Sequence, residues 1–217
     1  MTYLGKENSE LLKLYKEIGT VVVKSRYLKA HSALLELEQY VNGSILQFSR
    51  YVQAKEASPL SDERQKQIVK AVEEGKPSDE ILQIMCKPDD SVKVSQLLLE
   101  MHFFLICVDK VQNLVEYIAK ADDDPQLKKL ADEVKHKFTP FNDARNYLEH
   151  IHERIRDKTD DSGLSSTDGK ILNFRDRKGN WQTVEINESS IMLVRNTYDE
   201  LLAILRSRPD RVGEWKK

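Results

Sequence analysis

Residues 145–150, which read RNYLEH, carry side chains that could cut a phosphodiester without a metal. An arginine guanidinium can hold a phosphate and stabilise the negative charge that develops in the transition state. A histidine, with an ordinary pKa of about 6.5, can take a proton from a ribose 2′-hydroxyl. We therefore predict Arg145 as the phosphate clamp, His150 as the general acid/base and Asn146 as the organiser of the site.

The motif is predicted to lie on an amphipathic helix that begins at Thr139-Pro140 and runs to about residue 157. His150 lies about 140° from the centre of the apolar stripe of this helix, which predicts an exposed side chain. Arg145 lies about 80° from that centre, at the boundary between core and surface. The stripe that is predicted to face the core consists of Phe141, Ala144, Leu148, Ile151 and Ile155.

A long apolar helix is predicted to precede the motif helix. Residues 91–121 carry an apolar stripe so broad that it requires packing on more than one side. The residues that follow, Asp124-Pro125, predict a new helix with Asp124 as N-cap and Pro125 at its first position. We expect the helix of residues 91–121 to pack against the motif helix and to position it.

The N-terminal part of the chain is predicted to be helical as well. Residues 9–57 have apolar residues at helical spacing, and Asn42-Gly43 is a turn signal that could split or kink the segment. Two short helices follow, one opened by Ser61 and one capped by Ser78.

A β-hairpin is predicted after the motif helix. Residues 170–175 and 180–187 are enriched in Val, Ile, Thr and Trp and flank a turn that contains Gly179. Asn187 is predicted to cap a last helix that runs to Leu205.

Together these elements predict an all-α antiparallel helical bundle with a small β-hairpin before the last helix. We expect one domain, in which residues 9–87 are an N-terminal elaboration and residues 91–157 are the core helices that carry the motif. Residues 170–187 form the hairpin and residues 188–206 the last helix.

The bulk properties favour a helical protein without a global attraction to nucleic acid. Of 217 residues, 32% are charged and 40% hydrophobic, which argues against disorder, and the net charge of -2 requires any RNA contact to come from a local patch. The sequence reading finds no apolar run as long as a membrane span and no signal peptide at the N-terminus, so we expect a cytoplasmic protein.

Neither the cysteines nor the histidines predict a metal site or a cofactor. Cys86 and Cys107 do not make a disulfide framework and are expected to be buried thiols on apolar helices. His150 and His152 are two residues apart on a helix and point to different faces. The second histidine of a metalloprotease pattern is missing after Glu153, so we predict no metal.

The Arg-x4-His spacing, with Asn146 directly after Arg145 and a long apolar helix before the motif, resembles the signature of the HEPN family. Members are small α-helical proteins, many of them RNases of toxin and defence systems, and the resemblance covers residues 91–157. It implies a homodimer whose Arg145 and His150 line a cleft between the protomers and cleave RNA without a metal, leaving a 2′,3′-cyclic phosphate. An antitoxin or inhibitor protein is a further implied partner. Some members carry a tyrosine two residues after the histidine that a partner nucleotidyltransferase modifies, but here that residue is His152, which leaves an antitoxin of this kind open.

RNA binding would need a positive surface. Basic residues interleaved with aromatic ones can bind single-stranded RNA. Phe174 and Trp181 lie beside the predicted basic turn of the hairpin in the sequence. It is equally consistent with the sequence that Trp181 belongs to the core and that the basic residues are solvated. The residues predicted to bind RNA are Arg154, Arg156, Arg175, Arg177 and Lys178.

Two other interpretations stay open at this point. The chain could be a non-catalytic HEPN-like module that binds RNA, a nucleotide or a protein. It could also be a purely structural helical protein, in which the polar face around His150 is simply solvated.

Overall fold

In the computed structural model, the described residues are 25–59, 61–122, 124–150, 171–175 and 180–207. They form six helices and a two-stranded antiparallel sheet that precedes the last helix, which confirms the predicted all-α bundle with a small β-hairpin. In chain order the elements are α1 (Ser25–Ala57), α2 (Asp62–Glu73), α3 (Ser78–Met85), α4 (Asp90–Asp122), α5 (Pro125–Glu149), β1 (Ile171–Arg175), β2 (Trp181–Glu185) and α6 (Glu188–Arg206).

Helix α4 is the centre of the bundle. It packs along α1 on one side and along α5 on the other, while α6 contacts all three helices. Its buried side chains run from Leu97 to Ala119 and include Met101 and Phe104, neither of which is exposed at all. The broad apolar stripe of α4 is therefore buried by several neighbours, as the sequence requires.

Helix α1 continues without a break through Asn42-Gly43, so the predicted split of this segment is wrong. The reason lies in the packing of α1 on α4. A Cβ atom added at Gly43 would lie 3.3 Å from the Sγ atom of Cys107 on α4. Gly43 therefore permits close approach of the two helices and does not mark a turn.

Helix α5 passes through Pro140, so the helix predicted to begin at Thr139-Pro140 is instead the second half of a longer one. Proline lacks an N–H and leaves the carbonyl of His136 without its usual donor. Both Pro140 and His136 are exposed, so water can satisfy that carbonyl. The Thr139 hydroxyl donates to the carbonyl of Lys135 at 2.7 Å, which supports the preceding turn.

The motif lies at the end of α5 and not in the middle of a helix. Helix α5 ends at Glu149, earlier than the predicted end near residue 157, and His150 is its C-cap. The His150 N–H donates to the Asn146 carbonyl at 3.3 Å. Residues 151–157 lie outside the described part of the chain, and so do Ile151 and Ile155 of the predicted stripe.

Local capping signals account for three of the six helix starts. Asp124 caps α5, Ser61 caps α2, and Asn187 forms a capping box at α6, all as predicted. Helix α3 begins at Ser78, but its N-cap is Pro77 and no side chain caps it, so the predicted role of Ser78 is wrong.

The hairpin rests on the motif helix. Its strands pair with Leu172 opposite Val184, and both side chains are buried together with Phe174. The Phe174 ring lies 5.6 Å from the ring of Tyr147 on α5. Trp181, in contrast, is 55% exposed, so the interpretation of this residue as hairpin core is wrong. The turn at residues 176–179 is outside the described residues.

The two cysteines occupy different environments. Cys107 is partly buried between helices, and burial raises the pKa of its thiol to about 11. Cys86 is exposed, so its predicted burial is wrong. It follows the last residue of α3 in extended backbone, where no neighbouring helix covers it.

Among the described residues, one stretch has the length and composition of a membrane span. Within Ser78–Asp122, an 18-residue window has a mean hydropathy of 1.5, and 28% of that window is buried. This stretch was not expected from the sequence, because charged residues separate its apolar runs, which are each shorter than a membrane span. The core helix of a soluble protein has the same properties.

Candidate functional site

Arg145 is held by an ion pair between α5 and α4. Its Nη1 atom donates to Oδ2 of Asp109 at 2.7 Å, and its Nη2 atom donates to Oδ1 of Asn146 at 2.6 Å. The Asp109 side chain is 9% exposed and the Arg145 side chain 22%. The guanidinium is therefore fixed at the edge between core and surface, the boundary at which the sequence places it, and it sits beside the asparagine of the motif.

Glu149 and His102 extend this cluster. Oε2 of Glu149 lies 3.7 Å from Nε of Arg145, and Oε1 lies 3.9 Å from Nε2 of His102 on α4. Both nitrogen atoms are buried, and neither has a hydrogen-bond partner among the described residues. The two oxygens of one carboxylate thus stand between a guanidinium and an imidazole, each slightly beyond hydrogen-bond distance.

The environment of His102 favours its neutral form. Burial lowers the pKa of the imidazole most, Glu149 opposes this effect, and the charge of Arg145 adds to it. The ring of His102 also lies parallel to that of Phe103, with centroids 6.4 Å apart. A neutral imidazole can accept a proton at neutral pH.

A series of side-chain hydrogen bonds continues from the Arg145 cluster along α4 and α5. Asn142 on α5 donates to Oε1 of Gln112 on α4 at 2.7 Å, and Gln112 donates to Glu116 at 2.8 Å. The Asn142–Gln112 bond joins α5 to α4 and is one of the contacts that match the register of the two helices. The same register sets the height at which Arg145 meets Asp109.

His150 is exposed, as the sequence predicts. It comes directly after Glu149, so its backbone position is set by the end of α5. The structure thus describes all three predicted catalytic residues, Arg145, Asn146 and His150, and gives a direct contact between the first two.

The predicted RNA-binding residues are mostly outside the described part of the chain. This holds for Arg154, Arg156, Arg177 and Lys178. Arg175 is described only in its backbone, which is the last residue of β1 and pairs with Trp181.

Sequence reasoning missed the residues that α4 contributes to the site. The signal is present, however, because four of the polar residues of α4 recur at spacings of seven, three and four. Such spacings place them along one side of a helix. These residues are His102, Asp109, Gln112 and Glu116.

An exposed apolar face lies on the same helix as His102 and Asp109. Val92, Leu99 and Phe103 are seven and four residues apart, so they share one side of α4. They are 68%, 49% and 43% exposed. His102 immediately precedes Phe103, so this apolar face borders the polar cluster.

The chain matches no family model, no curated protein and no solved structure. Among the described residues, no three His, Cys, Asp or Glu side chains gather as metal ligands would.

Proposed function

We propose that the protein is a metal-independent endoribonuclease of the HEPN type, with Arg145, Asn146 and His150 as its active-site residues. One observation supports this most. Asp109 and Asn146 hold the Arg145 guanidinium at fixed distances of 2.7 and 2.6 Å, next to the helix end that carries His150. A fixed cation beside an exposed imidazole is what cleavage of a phosphodiester needs.

The reaction uses the 2′-hydroxyl of RNA as its own nucleophile. An imidazole takes the 2′-hydroxyl proton while the 2′-oxygen attacks phosphorus, and Arg145 stabilises the added charge on the phosphoryl oxygens. The bond from phosphorus to the 5′-oxygen then breaks as a protonated imidazole donates a proton to that oxygen. The products are a 2′,3′-cyclic phosphate and a free 5′-hydroxyl. Two of the five N–H donors of Arg145 serve Asp109 and Asn146, which leaves others for phosphate.

A homodimer belongs to this proposal. In an isologous interface both copies of the motif meet, so that two His150 side chains share the acid and base roles. The exposed Val92, Leu99 and Phe103 give α4 an apolar face next to the cluster, and a second copy that covers it would enclose the site.

In this proposal RNA would also contact the basic residues that follow α5 in the sequence and those of the hairpin segment, Arg154, Arg156, Arg175, Arg177 and Lys178. Trp181 is exposed at the start of β2, opposite Arg175, where a base could stack on its ring. Replacing Arg175, Arg177 and Lys178 by Ala should weaken RNA binding and flatten its dependence on salt. Unchanged binding and salt dependence would remove the hairpin from the proposed RNA path.

A cytoplasmic toxin or defence role, with an inhibitor protein as partner, follows from the same proposal. His152 occupies the position where related toxins carry a modified tyrosine, so we expect inhibition by binding and not by modification at that residue.

A second candidate function is a non-catalytic module that binds RNA, a nucleotide or a protein, and the charge of the cluster favours it. Asp109 and Glu149 outweigh Arg145, so with neutral His102 the cluster carries a formal charge of about -1. Negative charge at this position opposes phosphate binding, and the contacts of Arg145 with Asp109 and Asn146 would then be purely structural.

RNA cleavage in the presence of EDTA separates these functions. Wild type is compared with His150→Ala and with His136→Ala, which removes another exposed histidine of α5. We expect wild type and His136→Ala to cleave and to leave 2′,3′-cyclic phosphate ends, while His150→Ala loses cleavage about 10²-fold or more. Light scattering of the same samples gives the oligomeric state. Absence of cleavage by wild type, or equal cleavage by all three proteins, would contradict the nuclease.

A further inference from the structure

We propose that His102 is a second proton-transfer residue of this site, oriented by Glu149 and acting as the general base within the same protomer as Arg145. This inference rests on the proposed nuclease function and deepens it. One imidazole cannot easily serve as both base and acid, and the motif carries one histidine, His150, in each protomer; with His102 as the base, His150 keeps only the role of the acid. His102 supplies another imidazole from α4.

The geometry of Glu149 supports the pairing. Its two oxygens lie 3.9 Å from Nε2 of His102 and 3.7 Å from Nε of Arg145. A movement of about 1 Å would turn either contact into a hydrogen bond. A carboxylate beside Nε2 favours the tautomer that carries its proton there, which leaves Nδ1 as the nitrogen able to accept a proton.

The charge balance of the cluster also suits a base. With neutral His102, Asp109 and Glu149 leave one negative charge uncompensated by Arg145. When His102 takes the proton of the 2′-hydroxyl, the cluster becomes formally neutral and Glu149 faces the new imidazolium. The same negative charge that opposes phosphate binding therefore promotes proton abstraction.

The partial burial of His102 fits this role. Its side chain is 25% exposed, so it is reachable from the surface, yet burial lowers its pKa and keeps it neutral near pH 7. In the proposed step His102 receives the proton from the 2′-hydroxyl and protonated His150 donates one to the leaving 5′-oxygen. Solvent then returns both groups to their starting states.

The test measures the cleavage rate in EDTA as a function of pH for wild type, His102→Gln and His136→Gln. Cleavage at a two-group site should rise and then fall with pH. We expect His102→Gln to lower kcat about 10²-fold or more and to remove the rise on the acidic side, with thermal stability at pH 7.5 close to that of wild type. His136→Gln, which changes an exposed histidine on α5, should keep the wild-type profile.

A second variant tests the pairing itself. Glu149→Gln removes the carboxylate that raises the pKa of His102, so the acidic rise should move to lower pH. An NMR titration of the His102 ring in the same variant should show the same downward shift.

The outcomes distinguish the two proposals. If wild type cleaves and His102→Gln keeps its rate and pH profile, His102 is not the base while the nuclease function stands. An unmoved His102 titration in Glu149→Gln would contradict its orientation by Glu149. If wild type does not cleave RNA at any pH, the proposed function fails and the role of His102 fails with it.

Discussion

Two arginine–aspartate ion pairs of equal length join neighbouring helices in this protein. Arg64 on α2 bonds Asp90 on α4 at 2.7 Å, and Arg145 on α5 bonds Asp109 on α4 at 2.7 Å. Asp90 also accepts from the backbone N–H of Lys87 at 2.8 Å, so this carboxylate closes the start of α4 as well as binding Arg64.

The surroundings of the two pairs differ. The Arg145 pair is joined by Asn146 and Glu149 and, through Glu149, by His102, an imidazole whose pKa is lowered by burial. The arginine is more exposed in this pair, at 22% against 8% for Arg64. A buried ion pair alone therefore does not indicate a functional site; the titratable and motif residues beside it do.

The largest effect is expected when the aspartates are neutralised and RNA cleavage is measured. Asp109→Asn weakens the contact that fixes Arg145, and we expect cleavage to fall about 10²-fold because the phosphate clamp loses its fixed position. Asp90→Asn makes the same chemical change in the other pair and should leave the rate per folded molecule within about 2-fold of wild type. Similar losses in both variants would erase the proposed difference between the pairs.

A smaller but still strong effect is expected on dimerisation. Phe103→Glu places a charge on the apolar face beside the Arg145 pair, and the dimer dissociation constant should rise about 30-fold or more, since burying a Phe contributes about 2 kcal/mol. Val72→Glu changes another exposed apolar residue, on the helix of Arg64, and should not affect association. Sedimentation equilibrium measures both. A wild-type monomer, or dimers unaffected by Phe103→Glu, would refute this face as the interface.

On stability the two pairs should behave alike. Each aspartate-to-asparagine change weakens a charge-assisted hydrogen bond and should lower the midpoint of urea denaturation to a similar extent. Urea denaturation at pH 7.5 gives this value for both variants. If only Asp109→Asn loses stability, the Arg145 pair stabilises the fold and the Arg64 pair does not, which would contradict the expected similarity of the two pairs.

The smallest effect is expected in the pH dependence of stability. The pKa of His102 is lower when folded than its ordinary 6.5, so the unfolded chain binds this proton first and stability falls as the pH drops from about 6.5 toward the lowered value. His102→Gln should flatten this fall. The hydrogen bond from Arg64 holds the pKa of Asp90 below its ordinary 3.8, so its contribution is present above pH 3.8 and is lost only at more acidic pH. Thermal unfolding from pH 5 to 8 compares how the stability of wild type and of His102→Gln depends on pH. If the two proteins show the same pH dependence, the lowered pKa of His102 is contradicted.

Local sequence signals were sufficient where the structure depends only on residues that are close together in the sequence. Asp124-Pro125 and Asn187 predicted two helix starts because capping depends on residues within one turn. Gly43 and Pro140 misled the prediction, because a glycine can serve helix packing and a proline can be tolerated at an exposed helix position.

The site was predictable only in the half that is contiguous in sequence. Arg145, Asn146 and His150 lie within six residues, but Asp109 is 36 residues from Arg145 and reaches it only through the packing of α4 on α5. The spacing of polar residues along α4 indicates which side faces a polar neighbour. It does not give the register that pairs Asp109 with Arg145 and His102 with Glu149, since register is set by the whole interface between the helices.

The most direct test replaces each arginine by lysine and measures RNA cleavage in EDTA. Lysine keeps the positive charge of each ion pair but loses the guanidinium fork that binds an aspartate and a phosphate together. We expect that Arg64→Lys cleaves like wild type, and that folded Arg145→Lys loses cleavage about 10²-fold. Equal cleavage by the two variants, or none by wild type, would contradict the claim that the Arg145 pair is the active site.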